Sequence, residues 1–169
     1  LCQSRGLLGM TKPINRPGGF AEFVAVPNHN IFTIPSNADL NSLSLTEPTA
    51  VAYHAIKIAE QTSFKNIQKN KILIIGGGAI GLLLALVLQA KDTQDLTIID
   101  KNAKRLDVCK TASNWNIAHP DDSNILNNNY DIVFDAVGFS TTRQKSIQTI
   151  KQGGVIIHIG LSQATGEFD

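Results

Sequence analysis

Three glycines and one carboxylate are the residues of this chain whose types and spacing could do chemistry. The run Lys71-Ile72-Leu73-Ile74-Ile75-Gly76-Gly77-Gly78-Ala79-Ile80-Gly81 places glycine at 76, 78 and 81. Leu96-Thr97-Ile98-Ile99-Asp100 ends in an acid 19 residues beyond Gly81. In a strand–turn–helix, a glycine at 76 lets the chain turn sharply. One at 78 has no side chain to keep a pyrophosphate from the backbone, and one at 81 lets the helix pack closely on the strand. The helix start, here Ala79 and Ile80, offers free N–H groups and the positive end of its dipole to phosphates. The Asp100 carboxylate can accept hydrogen bonds from both hydroxyls of an adenosine ribose. The set is a dinucleotide-binding fingerprint. Three glycines alone would equally describe an ordinary turn; the acid and the flanking periodicities separate the two.

The elements that must position these residues follow from the hydropathy pattern. From Lys71 on, apolar runs alternate with helical stretches. Strand 71–76 leads to helix 79–90, strand 95–100 to helix 102–112, and a weak strand at 115–118 to a short helix near 121–127. Strand 131–135 leads to helix 140–150, and Gly153-Gly154 open strand 155–160. Such alternation predicts an α/β fold, a doubly wound parallel (Rossmann) sheet of strand order 3-2-1-4-5. Helix 79–88 is apolar nearly all round and should be buried on two sides. Ligands of this fold sit beyond the C-terminal ends of the strands, which here carry Gly76 to Gly78, Asp100, Val137-Gly138 and Gly160-Leu161.

Upstream the character differs. Prolines and glycines punctuate residues 1–41, and the alternation in Phe20 to Val26 and in Ile31 to Ile34 predicts short strands, a β-rich remnant that could not be stable alone. Residues 42–47 and 48–60 turn helical, with Val51, Ala55, Ile58 and Ala59 on one face. A polar connection covers 61–70. The expected division is 1–41 and 42–169.

Composition excludes several classes. Fifteen basic residues against 14 acidic give a net charge of +1, with no basic stripe for nucleic acid. The longest apolar run, Ala79 to Leu88, is too short to span a bilayer, and no stretch reads as a secretory signal, so none is expected. Cys2 and Cys109, the only cysteines, lack C-x-x-C spacing, which suggests a reducing, cytoplasmic setting. The abrupt ends, Leu1-Cys2-Gln3 without a starting methionine and Gly166-Glu167-Phe168-Asp169, suggest a fragment.

These motifs resemble the medium-chain dehydrogenase/reductase family, in its zinc-dependent alcohol and polyol (sorbitol-type) branch. Pro17-Gly18-Gly19-Phe20-Ala21-Glu22-Phe23-Val24-Ala25-Val26-Pro27 and Glu47-Pro48-Thr49-Ala50-Val51-Ala52-Tyr53-His54-Ala55 are similar to two of its signatures. So are the glycine turn with Asp100 and Arg105-Leu106, then Asp135-Ala136-Val137-Gly138, then Gly153-Gly154 to Gly160-Leu161. The resemblance implies that residues 1–41 end a GroES-like catalytic domain. Residues 42–169 would then form an NAD-binding domain lacking its last strand. It implies a homo-oligomer that moves hydride from an alcohol or polyol to NAD. Departures are the connection Lys91 to Asp95, without the usual glycine, and Asn114-Trp115-Asn116, where Gly-Ala is common.

The implied cofactor contacts are Gly76, Gly78, Ala79, Ile80, Gly81, Asp100, Lys101, Arg105, Val137, Gly138, Gly160 and Leu161. Glu47 aligns with a position that binds the catalytic zinc or its water in polyol and sugar dehydrogenases. The plain alternative is an acid stabilised by a helix N-terminus. Cys2 could be a last structural-zinc ligand. Zinc would belong to the full-length protein only, and the fragment alone should bind dinucleotide without turning over alcohols. His54 and His158 are expected to be structural, His54 in the core; Cys109 should be inert and Trp115 a packing residue. Alternatives are a zinc-independent quinone reductase of the same superfamily, a non-catalytic nucleotide-binding module, and a methyltransferase. The turn sequence and Glu47-Pro48 argue against the quinone reductase, and Asp135 to Gly138 against the methyltransferase.

Overall fold

The computed structural model describes residues 6–9, 16–126 and 129–163. The chain divides into two compact units, Leu1–Asp39 and Leu40–Asp169. In the first, the described residues form a single 3-10 turn, Asn28–Asn30, and no strand. The strands expected over 20–26 and 31–34 are therefore not formed. Ile31 keeps extended backbone (φ −104°, ψ 131°), but an extended segment becomes a strand only when a neighbour takes its hydrogen bonds. Phe20, Phe23 and Phe32 stand exposed.

The second unit begins with two helices, α1 (Leu40–Leu43) and α2 (Thr46–Thr62), and a 3-10 turn at Ile67–Lys69. Strand and helix then alternate: β1 (Lys71–Ile75), α3 (Ala79–Ala90), β2 (Asp95–Ile99), α4 (Ala103–Ala112), β3 (Asn116–Ala118), α5 (Ser123–Leu126), β4 (Tyr130–Asp135), α6 (Ser140–Thr149) and β5 (Ile150–His158). All pairings are parallel, in the order β3-β2-β1-β4-β5, as the apolar runs predict. Among the described residues no helix is long and apolar enough to cross a membrane.

Alternation along each strand divides the core between the two faces of the sheet. Ile72, Ile74, Leu96, Ile98, Ile132 and Phe134 pack with α3 and α2. Leu73, Ile75, Ile99, Tyr130 and Val133 pack on the other face with Ile125. Helix α3 lies between sheet and α2: Leu84, Ala85 and Leu88 are fully buried, alongside Ala52, Ile56 and Ala59 of α2. The buried stripe of α2 is thus Ala52, Ala55, Ile56 and Ala59, not the face through Val51 and Ile58. His54 lies off that stripe and is exposed, which corrects its assignment to the core.

Local chemistry closes the elements. The Asn102 side chain caps α4 by accepting from the Lys104 and Arg105 N–H groups. Helix α3 ends in a Schellman motif: Asp92 N–H donates to Gln89 O and Thr93 N–H to Leu88 O. Asp92 takes the left-handed position itself (φ 61°), which is how this connection does without glycine. Strand β5 starts at Ile150 rather than 155. Its register jumps from Tyr130↔Ile150 to Ile132↔Val155, so Gly153-Gly154 lie inside an irregular strand instead of before it.

Because Leu84 is enclosed on both sides, Leu84→Ala should cost about 2–5 kcal/mol of unfolding free energy in urea titrations. A loss below about 1 kcal/mol would mean that α3 is not sandwiched as described.

Candidate functional site

A cleft of about 460 Å³ opens at the C-terminal ends of the strands. Ile75 and Gly76 after β1, Ile99 and Asp100 after β2, and Val137 after β4 contribute to its walls. β1 and β4 are the central neighbours from which the sheet is wound in opposite directions, so the cleft lies at the switch in strand order.

The glycines here have separate physical reasons. Gly76 has φ +103°, and its N–H donates to Ile99 O at 2.7 Å. A side chain at Gly81 would collide with the Gly76 carbonyl oxygen, so the helix lies directly against the turn. Around Gly78, by contrast, no heavy atom of the described residues comes within 4 Å of where a Cβ would sit. The fold does not need a glycine at 78; an approaching ligand would. Gly78 also begins α3 without a side-chain cap. The N–H groups of that first turn, with Ala79 and Ile80, therefore have no intrahelical acceptor.

Asp100 is nearly buried, 8 % exposed. Its Oδ2 accepts from Gly77 N–H at 2.8 Å and its Oδ1 from Asn102 N–H at 2.7 Å. The Arg105 guanidinium stands 3.6 Å from Oδ2, an ion pair rather than a hydrogen bond. The carboxylate thus holds the glycine turn against the end of β2. Each of its oxygens has two lone-pair directions, so capacity remains for further donors. Lys101 and Arg105 line the cleft.

At the end of β4, Asp135 is fully buried. Its Oδ1 accepts from Val137 N–H (3.0 Å) and Gly138 N–H (2.9 Å). Its Oδ2 accepts from the Thr142 hydroxyl (3.1 Å) and lies 3.3 Å from His158 Nδ1. Gly138 and Gly160 meet backbone to backbone, each leaving no room for a Cβ on the other.

The residue pattern of the second unit matches a family model described as glucose dehydrogenase C-terminus, over residues 41–169. The chain belongs to that family. It is 29 % identical over 164 residues to L-threonine 3-dehydrogenase of Sinorhizobium fredii (strain NBRC 101917 / NGR234), covering 92 % of this chain and 46 % of the relative. It is 27 % identical over 176 residues to L-idonate 5-dehydrogenase of Vitis vinifera, covering 97 % and 46 %. A structure described as a zinc-binding dehydrogenase from Sinorhizobium meliloti 1021, bound to NADP, superposes with a TM-score of 0.79 at 23 % identity, over 92 % of this chain and 48 % of that one. The chain thus spans about half the length of the curated relatives it matches. Membership agrees with the resemblance of the motifs to medium-chain dehydrogenases.

The residues singled out from the sequence do not all meet. Gly76, Asp100, Lys101, Arg105 and Val137 line one cleft. Gly78, Ala79, Ile80 and Gly81 form the adjoining helix start. Gly138 and Gly160 are accounted for by their mutual packing, and Leu161 is 92 % exposed, outside the cleft lining. Pro120, Asp121, Phe139, Thr141, Thr142 and Lys145 also line the cleft and were not anticipated. Pro120 and Asp121 follow β3 as Asp100 follows β2, so the same strand-end rule extends to them once β3 is placed.

Glu47 is exposed in the first turn of α2. Cys2 lies outside the described residues. Among the described residues, no group of three or more His, Cys, Asp or Glu side chains could hold a metal ion, so those present do not by themselves fit a zinc site. Cys109 is buried, with Sγ 3.9 Å from Gly77 O. Burial first, and then the Asp100 charge, push its thiol up from the ordinary range. Trp115 packs against the core.

The thiolate is the reactive form of cysteine, so both effects should silence Cys109. Peptide mapping after iodoacetamide at pH 8 should show it labelled on the order of 100-fold more slowly in the native chain than in urea. Equal rates would contradict the packing of α4 on the glycine turn.

Proposed function

We propose that this chain is the cofactor-binding portion of a zinc-type alcohol or polyol dehydrogenase that uses NAD. The observation that carries the reading is the conjunction at the end of β1. Open space at Gly78 adjoins an uncapped helix start, and a nearly buried Asp100 with acceptor capacity to spare stands in the adjoining cleft. These features fit a dinucleotide: the first for its pyrophosphate, the second for its adenosine ribose. Val137 would wall the cleft on the β4 side. Lys101 and Arg105 would lie beside the ribose, and Pro120, Phe139 and Thr142 would bound the outer end. When bound, the nicotinamide supplies the hydride acceptor for oxidation of a CH–OH group.

The substrate class follows from the relatives, whose names specify a threonine and an idonate dehydrogenase, and from Glu47-Pro48. Within this reading Glu47 belongs beside the zinc or its water in the longer protein, and the remaining ligands must come from outside these residues. A small alcohol or polyol is then the substrate, and the chain alone binds cofactor without turnover. A cytoplasmic setting belongs to the same proposal. So does association of copies through β5, whose outer edge is unpaired among the described residues.

Cofactor choice turns on charge. One fold neighbour binds NADP, but here the 2′-phosphate would meet the Asp100 carboxylate, and like charges in a partly dry site repel by several kcal/mol at most. Arg105, already 3.6 Å from Oδ2, offsets part of this. NAD should therefore bind more tightly than NADP, and Asp100→Ser should narrow the gap. Loss of the Gly77 bond weakens both cofactors alike, so the ratio of the two dissociation constants isolates the ribose contact. Calorimetry that gives equal constants in the wild type, or an unchanged ratio in the variant, would remove Asp100 from the ribose site.

Gly78→Ala separates fold from binding. No atom opposes the added methyl and φ −78° suits alanine. Melting should therefore stay within about 2 °C of wild type, while NAD affinity falls about tenfold or more. Undiminished NAD binding would place the pyrophosphate elsewhere.

A further inference from the structure

The end of β5 and the residue after it are apolar at Val155, Ile156, Ile157 and Ile159, and one residue interrupts the run: His158, the last of β5. Ile157 and Ile159 pack toward α2 and α3, whereas Ile156 packs on the opposite face. Alternation puts His158 on the Ile156 side. It is register-paired with Asp135, and its Nδ1 lies 3.3 Å from Asp135 Oδ2.

Asp135 Oδ2 has two candidate donors, and they differ in availability. The Thr142 hydroxyl owns one proton. That proton can go to Asp135 Oδ2 at 3.1 Å or to the carbonyl oxygen of Phe139 at 2.9 Å, not fully to both. Thr142 Oγ1 also accepts from Phe139 N–H, which holds it to the start of α6. The imidazole has no such rival among the bonds described. Asp135 Oδ1 meanwhile carries the Val137 and Gly138 N–H groups, and Val137 walls the cleft. The chain of contacts runs from His158 through one carboxylate to the turn that borders the cleft.

We infer that His158 is a positioning residue for the cofactor cleft: its Nδ1–H donates to Asp135 Oδ2 and fixes the carboxylate that holds the Val137–Gly138 turn. The inference rests on the reading of the cleft as an NAD site. An ionised carboxylate only accepts, so the bond places the imidazole proton on Nδ1. The side chain is 36 % exposed. A buried carboxylate that loses a donor is left under-satisfied and free to turn, and the two backbone amides it anchors lose their fixed acceptor.

The test compares His158→Leu with His158→Asn in this chain, by NAD⁺ calorimetry and by hydrogen exchange at the Val137 and Gly138 amides. Asparagine carries its amide nitrogen on Cγ, as histidine carries Nδ1, so it can restore the donor. Leucine should weaken NAD⁺ about tenfold and speed exchange of both amides, and asparagine should return affinity to within about threefold of wild type. If His158→Leu does not fold, His158→Gln takes its place with the same expectation, because its amide sits one carbon too far out. Wild-type affinity and exchange in the leucine or glutamine variant would overturn the inference. So would an equal defect in the asparagine variant, which would assign the role to the ring's packing. A wild-type chain that binds no NAD⁺ would instead sink the proposed function, and amide exchange would still decide whether His158 holds the turn.

Discussion

The contact on which the site depends is that between the carbonyl of Gly76 and the backbone of Gly81. No side chain fits between them, so α3 starts directly on the end of β1 instead of one side-chain layer away. That approach puts the uncapped helix terminus at the strand ends, where the sheet changes winding direction. It also sets α3 low on the sheet, and its apolar surface then has to be covered from outside. Helix α2 does this with alanines at 52, 55 and 59 and with Ile56. Small residues on α2 and close approach at Gly81 are two parts of one arrangement: a thin layer of helices that brings the α3 start to the strand ends.

Carboxylates at the strand ends do the rest. Asp100 and Asp135 both terminate strands, are both buried or nearly so, and both take backbone N–H groups from a turn. Fixed N–H dipoles make such burial tolerable. The opposite end of the sheet shows a different solution. Asp131, at the start of β4, accepts from Lys71 N–H at 2.8 Å and is paired with the ammonium groups of Lys65 and Lys151. There the charge is quenched by cations and the end is structural. At the cleft the amide dipoles are supplemented by one side chain each, the Arg105 guanidinium for Asp100 and the His158 imidazole for Asp135. The two ends of one sheet therefore differ in electrostatic character because of what their aspartates meet.

Much of the second unit is legible in the sequence, for a physical reason. Parallel strands covered on both faces must be apolar throughout, so β1, β2 and β4 read as short apolar runs. The acid or glycine after each run marks the place where the chain meets polar surroundings. Legibility fails where structure depends on partners or on exact phase. The segments 20–26 and 31–34 alternate like strands, yet pairing is a property of the neighbour and not of the segment. His54 sits among apolar residues, but a helix phase error of one position suffices to turn a residue from core to surface. Asp92 could not be recognised as a left-handed cap, since nothing in its type required it. Pro120, Asp121 and Lys145 were missed because they reach the cleft from β3, the weakest strand signal, and from the middle of α6. Gly138 and Gly160 show that a motif position can also have a packing reason, since the two glycines meet backbone to backbone.

The double duty of Asp100 constrains how cofactor preference could change in this fold. One carboxylate both anchors the Gly77 amide and stands where a ribose would lie. Removing it to admit a phosphate also removes the acceptor that holds the glycine turn, and an unanchored turn would misplace the helix start proposed to receive the pyrophosphate. A change of preference that keeps affinity therefore needs a replacement with an oxygen able to reach Gly77 N–H and no net charge. Serine, threonine or asparagine meets the second condition. Asparagine comes nearest to the first, since its Oδ1 can occupy the place of an aspartate oxygen. Its amide nitrogen would then fall where the other oxygen now accepts from Asn102 N–H, setting donor against donor at the start of α4. The neighbouring Arg105 would be released from its ion pair and become the natural counter-charge for a phosphate. Charge preference, turn rigidity and the capping of α4 are thus coupled through one side chain.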